Sequence, residues 1–376
     1  MSAPSIVGIG CAVPRYVLRQ EAIAGRMIAA HGFSGHDARR LAELYRLTRI
    51  DERHSVIADF GGDALGSGIF PGGGGPADAA ASTARRMEVF AREALPLAVS
   101  AARPLLSGGD AAMPAGDIDH LLVVSCTGAT APGLDGLLVD ALGLRDDVGR
   151  TLISFQGCHA GLAARRVAAA LATARPASAV LVVCVELSTL HFQLDRSDEN
   201  RVANALFADG AAAALVAGAE RVARMAAGTL TPRFEIGDMR TVLRSRDRDA
   251  MVWTIGDTGF RLHLSSLLPR LIAADVRPAI APLLAGRTPE SAGFWAVHPG
   301  GSAILQAVER ALELPASALA ASRDVLRRFG NMSSPTIFFV LRDLLTETPA
   351  GADGIALAFG PGLTIEAARL RRQGAC

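Results

Sequence analysis

The sequence contains no lysine, because all 38 of its basic residues are arginine. Without a primary amine side chain it cannot use Schiff-base catalysis, attach pyridoxal phosphate or supply the phosphate-binding lysine of a P-loop. Cysteine is also scarce: five residues occur in dissimilar contexts and without a C-x-x-C pair. That pattern argues against a zinc site and against a disulfide framework, and it favours a reducing compartment, the cytoplasm.

Net charge and long apolar runs are lacking as well. A formal net charge of +1 provides no global attraction to nucleic acid or to an anionic membrane, so an anionic ligand has to be held by local arginines. The N-terminus lacks a signal-peptide pattern, and no apolar run approaches the roughly 18 residues of a membrane span. We therefore expect no nucleic-acid partner, no export and no membrane spanning.

Apolar, strand-like runs alternate with helical patterns along the chain, and this alternation predicts an α/β fold. The continuous apolar runs predict strands that are buried on both faces of a sheet. In the first part of the chain the expected strands are 5–13, 120–126, 151–156 and 179–187, and the expected helices are 80–106 and 161–174. In the second part, the expected elements are a strand at 292–298, a helix at 302–312 and a strand at 355–360.

The chain is long enough for two fused cores, since half of its 376 residues are hydrophobic. The order of elements predicts two α/β halves of comparable size, 1–222 and 223–376. Residues 61–76 are rich in glycine and proline, which is typical of a surface connection.

Cys158 is the strongest candidate nucleophile. Residues 152–171, LISFQGCHAGLAARRVAAAL, run from an apolar strand through Gly157 and Cys158 into a helix. Free N–H groups and the dipole at a helix N-terminus favour a thiolate. Most free cysteines are instead small core residues, which is our interpretation of Cys184 and, with a place beside a cavity left open, of Cys126.

His298 and Asn331 are the candidate partners of this thiol. In FWAVHPGGSAIL, His298 ends a strand before a glycine-rich turn, where an α/β fold presents catalytic groups. Asn331 is one of only three asparagines and follows a glycine in GNMSSPT. A neutral amide can stabilise an enolate oxygen without adding a titrating charge. The three groups lie in separate loops, so the residues alone do not establish that they meet.

Several segments resemble the chalcone and stilbene synthase family. GCHAGLA, WAVHPGG and GNMSSPT are similar to its three catalytic signatures, and AFGPGLTIE at 358–366 is similar to its C-terminal loop. ALFADGAAAALV at 205–216 matches a further family segment, and the resemblance extends over about residues 5–366. It implies a bacterial type III polyketide synthase with a thiolase-like fold, in which two similar α/β halves pack as a layered α/β/α/β/α core.

The resemblance also implies the roles of the three groups. Cys158 accepts the starter acyl group, while His298 and Asn331 promote malonyl decarboxylation and stabilise the enolate. An ion pair with His298 is expected to hold the Cys158 thiolate at neutral pH. The implied substrates are an acyl thioester and malonyl-CoA, with coenzyme A or acyl carrier protein as the carrier. No metal or further cofactor is implied, and the family members are homodimers.

A further set of residues is implied to line the substrate cavity. Phe207 corresponds to an aromatic gate, and Leu262 stands where a second gating phenylalanine is usual. Cys126 and His191 replace threonines and Ala131 replaces a methionine, in a loop expected to reach the partner subunit's cavity. The C-terminal loop supplies the remaining members, Gly360, Pro361 and Gly362. The segment 251–264 resembles bacterial members that make alkylpyrones or alkylresorcinols.

Arginines near the mouth of the substrate tunnel are implied to bind the carrier. Arg46, Arg49 and Arg53 in YRLTRIDERH are the candidates, since guanidinium groups suit bidentate phosphate contacts. Exposed arginines of a solvated surface are the alternative for each of them.

Three other functions share parts of this pattern. A ketoacyl-ACP synthase III would use the same three groups but stop after one condensation and ordinarily lack the C-terminal loop. A stand-alone ketosynthase that fuses two carrier-bound acyl chains into an α-pyrone is not separated from an iterative synthase by sequence. A non-catalytic thiolase-fold partner subunit is expected to have lost the nucleophile, and Cys158 argues against it.

Overall fold

The computed structural model describes residues 3–59, 69–70, 81–107, 113–195, 197–226 and 232–374. The strands in these ranges are β1 (Ser5–Ala12), β2 (Tyr16–Arg19), β3 (Glu52–Ser55), β4 (His120–Ser125), β5 (Gly149–Ser154), β6 (Ala179–Leu187), β7 (Asp209–Ala217), β8 (Arg233–Leu243), β9 (Met251–Gly256), β10 (Gly259–Leu264), β11 (Phe294–Val297), β12 (Asp353–Gly360) and β13 (Thr364–Gln373). The helices are α1 (Gln20–Ala30), α2 (Gly35–Leu47), α3 (Thr83–Ala102), α4 (Pro104–Ser107), α5 (Leu134–Leu142), α6 (Ala160–Ala174), α7 (Asp198–Leu206), α8 (Ala219–Ala226), α9 (Leu268–Leu284), α10 (Ser302–Leu312), α11 (Ala320–Phe329) and α12 (Thr336–Glu347).

Nine of the strands form one sheet in the order β11-β12-β13-β8-β1-β7-β6-β4-β5. Strands from the first part of the chain occupy one side of this order and strands from the second part occupy the other. The two sides are joined by only two residue pairs, Ser5 with Glu235 and Ile6 with Phe234. The sheet therefore consists of two halves that are connected along one short edge. The pairs β2-β3 and β9-β10 form small separate sheets.

Helices α6 and α12 lie between the two halves of the sheet. One hydrophobic cluster contains both helices together with Leu122 of β4 and Ala356 of β12. The preceding residue on each strand points to the opposite face of the sheet. Leu121 packs with α3 on one outer side, and Ile355 packs with α9 and α10 on the other. Each half thus has helices on both faces. This is the layered α/β/α/β/α arrangement of a thiolase-like fold, and it confirms the expected fold class.

Most of the predicted elements occur close to their predicted positions. The runs 5–13, 120–126 and 179–187 form β1, β4 and β6, and the helix at 302–312 is α10. The helix at 80–106 is two helices, because Pro104 begins α4 and has no N–H group to continue the ladder of α3.

The prediction of two-sided burial was wrong for β5. This strand lies at the edge of the sheet, is bonded to β4 alone, and exposes Arg150 and Leu152. The glycine-rich segment 61–76 lies outside the described residues apart from 69–70. The division of the chain after residue 222 stays a prediction. Among the helices of the described ranges, none combines the length and the apolar character needed to cross a bilayer.

Candidate active site

Cys158 lies in a short 3-10 turn, Gly157–His159, between β5 and α6. The backbone before it is unusual, since Phe155 has a φ of 56° and Gly157 a φ of 70°. A β-carbon at position 157 would also collide with the ring of Pro361, so glycine is required here on both counts. The chain consequently turns sharply from the strand into α6 and carries the thiol into a pocket, as the sequence predicted.

The side-chain amide of Asn331 points at this thiol. Its Nδ2 atom lies 4.0 Å from Sγ of Cys158 and donates a hydrogen bond to the carbonyl oxygen of Gly300 at 3.3 Å. Its Oδ1 atom accepts a hydrogen bond from the backbone N–H of Ser333 at 2.8 Å. The donor and acceptor partners fix the orientation of the amide, so that its N–H group faces the sulfur.

His298 follows β11 and is connected to Asn331 through Gly300. Its imidazole is buried, and neither Nδ1 nor Nε2 has a hydrogen-bond partner within the described residues. Gly300 lies directly against the ring, since an ideal β-carbon there would be 3.9 Å from Nε2. Gly300 therefore contacts both His298 and Asn331. A buried imidazole with two unpaired nitrogens can donate one hydrogen bond to a ligand and accept another.

Burial makes the neutral forms of the thiol and the imidazole the stable ones. It raises the pKa of the Cys158 thiol to about 11, although a hydrogen bond from Ser333 opposes this shift. It lowers the pKa of His298 to about 3, and the nearby His159 contributes in the same direction. Both shifts oppose the expected thiolate and imidazolium pair, which stays a prediction.

Glu186 is a buried carboxyl group beside the sulfur that the sequence analysis missed. It accepts hydrogen bonds from the backbone N–H of Cys126 at 2.9 Å, from Oγ1 of Thr127 at 2.8 Å and from Oγ of Ser334 at 2.6 Å. Burial raises the pKa of Glu186 to about 7, and its negative charge raises the pKa of Cys158. The signal was an acidic residue inside the apolar run AVLVVCVEL, where a charge is rarely buried without a purpose.

A cavity of about 40 Å³ lies beside the thiol. Four of the predicted cavity residues line it, namely Cys126, Phe207, Leu262 and Pro361. Phe207 and Leu262 are shared with a second cavity of about 10 Å³ on the far side of Trp253. Trp253 lines both cavities and was not singled out from the sequence.

His191 and Ala131 do not line the cavity at the thiol of their own chain, and the reach of the Ala131 loop into a partner subunit's cavity stays a prediction. His191 lies at the second cavity, where its Nε2 atom is 2.7 Å from the carbonyl oxygen of Thr127 and its Nδ1 accepts the N–H of Phe260 at 3.1 Å. Both of its nitrogens are occupied, so it braces β10. Ala131 is exposed to solvent and lies outside both cavities of its own chain.

The C-terminal loop packs onto the turn that carries the nucleophile. A β-carbon at Gly360 would collide with Nδ1 of His159, and Pro361 lies against Gly157. Gly362 has a φ of 108°, which a residue with a side chain rarely adopts. Of the three predicted loop residues, Pro361 lines the cavity, whereas the two glycines permit the close approach of the loop.

A groove of about 460 Å³ leads from the surface to this site. Leu44 and Thr48 line it on one side, and it reaches Gly300, whose carbonyl oxygen binds the amide of Asn331. Arg46 and Arg49 are exposed next to these residues. The guanidinium of Arg46 is already paired with a carboxylate, since its Nε donates to Glu43 at 2.6 Å.

Arg53 does not belong to this surface. Its side chain is 1% exposed, and the guanidinium donates to Oε1 of Gln20 and to the carbonyl oxygens of Asn204 and Phe207. The prediction that Arg53 binds a carrier phosphate was therefore wrong. Arginine side chains are mostly exposed, so a sequence alone predicts a surface position for Arg53. Its burial depends on backbone carbonyl partners, which no residue pattern in the sequence indicates.

Comparison with known proteins agrees with this geometry. The N-terminal domain family of chalcone and stilbene synthases matches residues 2–220, and the C-terminal domain family matches residues 239–373. The chain therefore belongs to the chalcone and stilbene synthase family. The predicted enzyme class, a condensing acyltransferase of the type III polyketide synthase kind, is confirmed.

Similar proteins occur in several kingdoms. A Mycobacterium tuberculosis protein named alpha-pyrone synthesis polyketide synthase-like Pks18 is 31% identical over 368 residues, which cover 96% of this chain and 89% of that protein. Bisdemethoxycurcumin synthase of Oryza sativa is 36% identical, with 75% and 72% of the two chains covered. The crystal structure of PKS-I from the brown alga Ectocarpus siliculosus matches with a TM-score of 0.89 and 31% identity, covering 99% of both chains.

Proposed function

We propose that this enzyme condenses an acyl thioester starter with malonyl-CoA by decarboxylative Claisen chemistry, through an acyl group bound to Cys158. The observation that carries the proposal is the position of the Asn331 amide. It lies between the sulfur of Cys158 and the carbonyl oxygen of Gly300, next to an imidazole whose two nitrogens are unpaired within the described residues. A thioester carbonyl held there meets two neutral donors beside the nucleophile.

In the first step Cys158 attacks the starter. A bond forms between Sγ and the acyl carbon, and the bond from that carbon to the sulfur of the carrier breaks. The imidazole of His298 is neutral at physiological pH because burial lowers its pKa. Although burial weakens it as a base, the neutral imidazole has a nitrogen, unpaired among the described residues, that can accept the thiol proton as the bond forms and deliver that proton to the leaving thiolate of the carrier.

In the second step malonyl-CoA loses carbon dioxide. The bond between its methylene carbon and its carboxylate breaks, and the electron pair moves onto the thioester oxygen as an enolate. The N–H groups of Asn331 and His298 stabilise that oxygen, and because both donors are neutral they do so without adding a titrating charge. The enolate carbon then attacks the acyl carbonyl, the Cys158 sulfur leaves as a thiolate, and a proton from water restores the thiol.

We propose that the groove beside Leu44 and Thr48 holds the pantetheine arm of coenzyme A or of an acyl carrier protein. Arg46 and Arg49 are the proposed phosphate contacts, since both are exposed next to it. The reaction requires no metal and no cofactor beyond these thioesters in this proposal. It requires Cys158 as a free thiol, and we place it in the reducing cytoplasm.

An alkylpyrone or alkylresorcinol is the proposed product. Similarity to a mycobacterial protein named for alpha-pyrone synthesis supports an α-pyrone in particular. Leu262, in the position of a gating phenylalanine, lines the cavity at the thiol and fills less of it than a phenylalanine side chain would, which supports an aliphatic rather than an aromatic starter.

We also propose a homodimer formed through the exposed edge of the sheet. Strand β5 lies at that edge, and Leu152 is 47% exposed and Phe155 40% exposed there. Apolar side chains on an open strand edge are normally covered in the native assembly. In such a dimer the exposed loop at Ala131 would extend to the cavity of the partner subunit. Sedimentation of the wild type and of Leu152→Arg tests this, and a monomeric wild type would contradict it.

Intact mass spectrometry tests the nucleophile assignment. Incubation with an acyl-CoA is expected to add one acyl group to the wild type and to a Cys11→Ala control, and none to Cys158→Ala. Acylation of the Cys158→Ala variant would contradict the assignment. Products from a panel of acyl-CoA starters with malonyl-CoA then separate repeated extension from a single condensation and from the fusion of two acyl chains.

A further inference from the structure

Arg53, in β3, is one of the largest fully buried side chains of the described residues. Its Nε donates to Oε1 of Gln20 at 2.8 Å. Its Nη1 donates to the carbonyl oxygen of Asn204 at 2.7 Å and to that of Phe207 at 2.6 Å. The chain thus buries a permanent charge and directs the Nη1 group of that charge at one short stretch of backbone, which is costly unless that stretch has to be fixed.

That stretch is the C-terminal end of α7, whose last carbonyl oxygens have no partners within the helix. Arg53 binds those of Asn204 and Phe207. Nε2 of Gln20 donates to the carbonyl oxygen of Ala205 at 2.8 Å. The remaining carbonyl, that of Leu206, accepts the backbone N–H of Asn331 at 2.9 Å. The end of α7 is therefore capped by Arg53, by Gln20 and by the backbone of the proposed catalytic asparagine.

The Arg53 side chain and the end of α7 both contact the residues around Asn331. Phe207 and Asn331 form an isolated bridge, and the backbone N–H of Ala208 donates to the carbonyl oxygen of Asn331 at 2.9 Å. Gly330 has a φ of 69°, and a β-carbon on it would lie 2.8 Å from Cγ of Arg53. The aliphatic part of the Arg53 side chain packs against Gly330, the residue before Asn331. Its guanidinium donates to the carbonyl oxygen of Phe207, next to the backbone atoms that bond to Asn331.

The surroundings of the guanidinium exclude a ligand phosphate. The rings of Tyr45 and Phe192 lie 5.8 and 5.7 Å from its Cζ atom, within the range of a cation–π contact. Asp209 is a buried acid whose negative charge favours the protonated guanidinium, against the effect of burial on its pKa. Arg53 is thus enclosed by aromatic rings, one acid and backbone carbonyls.

We propose that Arg53 is a positioning residue for Asn331, acting through the end of α7, and that it sets the rate of malonyl decarboxylation without contacting the carrier. This inference rests on the proposed function, in which the Asn331 amide stabilises the enolate. A displacement of the amide by a fraction of an ångström would weaken that stabilisation, whereas acylation of Cys158 depends mainly on the thiol and His298.

The test uses Arg53→Met, which keeps an apolar stem but removes every donor, and Arg53→Lys, which keeps the charge but removes the fork. Carbon dioxide release is measured from malonyl-CoA and from malonyl-N-acetylcysteamine, which carries no phosphate. We expect Arg53→Met to lower kcat by about 10²-fold with both thioesters, the usual scale for a misplaced catalytic group. Arg53→Lys is expected to recover part of that loss, and both variants are expected to form the acyl-Cys158 species.

Arg372→Met is the matched control, because Arg372 is equally buried and also donates to backbone carbonyls, at the end of β13 that lies away from Gly360. An equal loss of decarboxylation in this control would attribute the effect to general destabilisation and overturn the proposal. A loss confined to KM for malonyl-CoA, with the N-acetylcysteamine thioester unaffected, would assign Arg53 to carrier binding and overturn it as well. If Arg53→Met does not fold, Arg53→Lys decides by the same comparison of thioesters. A wild type that releases no carbon dioxide contradicts the proposed function instead.

Discussion

The indole N–H of Trp253 donates to the carbonyl oxygen of Cys126 at 2.9 Å and so ties β9 to the chain just after β4. The indole also packs edge-on against His191 and Phe260, with ring centroids 5.8 Å away in both cases. Trp253 lines both the cavity at the thiol and the smaller cavity at His191, and it separates them together with Ser188, Phe207 and Leu262.

Trp253→Ala is therefore expected to merge the two cavities and to shift the product distribution towards longer acyl starters or additional extensions. Trp253 is half-buried, and removing a fully buried tryptophan side chain costs about 3–5 kcal/mol, so a smaller loss is expected here and assays belong well below the melting temperature. Liquid chromatography with mass spectrometry of the products checks the shift. Trp295→Phe, in β11 of the opposite half, is the control. An unchanged distribution in the alanine variant would show that other residues separate the cavities.

The reactivity of Cys158 towards iodoacetamide is expected to rise steadily with pH. Burial raises the pKa of the thiol to about 11, so between pH 7 and pH 10 the thiolate fraction increases about tenfold per pH unit. The ionised form of Glu186 contributes to that raised pKa, and Glu186→Gln is expected to move the profile to lower pH. A plateau between pH 6 and 8 in the wild type, measured by intact mass, would indicate a preformed ion pair with His298.

Gly360→Ala is expected to disable the enzyme while leaving most of the fold intact. The added β-carbon would collide with Nδ1 of His159, so the turn that carries Cys158 has to move. A shift of about 1 Å at a nucleophile commonly costs about 10²-fold in rate. Steady-state kinetics and circular dichroism measure the two effects separately.

Gly25→Ala is the matched control for this variant, because no atom of the described residues lies within 4 Å of a β-carbon at that position in α1. It is expected to keep full activity and to gain up to about 1 kcal/mol in stability, since alanine favours a helix interior over glycine. Equal activity in the Gly360→Ala variant would mean that the C-terminal loop yields without disturbing the nucleophile.

How far the sequence predicts this molecule depends on whether a feature is local. The strand–turn–helix around Cys158 is encoded by neighbouring residues, so its position at the start of α6 could be predicted. The approach of Asn331 to within 4.0 Å of Cys158, across 173 residues, is set by the packing of α6 and α12 between the two halves of the sheet. No periodicity in the sequence predicts that Asn331 approaches Cys158. Only the family resemblance indicates that the two residues meet.

The burial of charged side chains is predicted less well from the sequence than the local structure around Cys158. The sequence around Arg53 predicts a surface position, and the run AVLVVCVEL predicts a buried strand without indicating where the charge of Glu186 goes. Each has hydrogen-bond partners that are distant along the chain, Arg53 at the end of α7 and Glu186 in the loops after β4 and before α12. A buried charge is defined by partners of this kind, which only the folded chain brings together.

Asn331→Asp separates the two chemical steps by replacing the amide with a group of the same shape that has no N–H to offer when ionised. The carboxylate loses the hydrogen bond to the carbonyl oxygen of Gly300 and places a negative charge where the enolate oxygen develops. We expect carbon dioxide release from malonyl-CoA to fall by about 10²–10³-fold, as when an oxyanion donor is lost, with acylation of Cys158 changing by less than about fivefold. Quench-flow measurement of carbon dioxide and intact mass of the acyl-enzyme follow the two steps. Because His298 and the thiol are unchanged in this variant, an equal loss of acylation would place Asn331 in the first step and would contradict the division of roles proposed for the site.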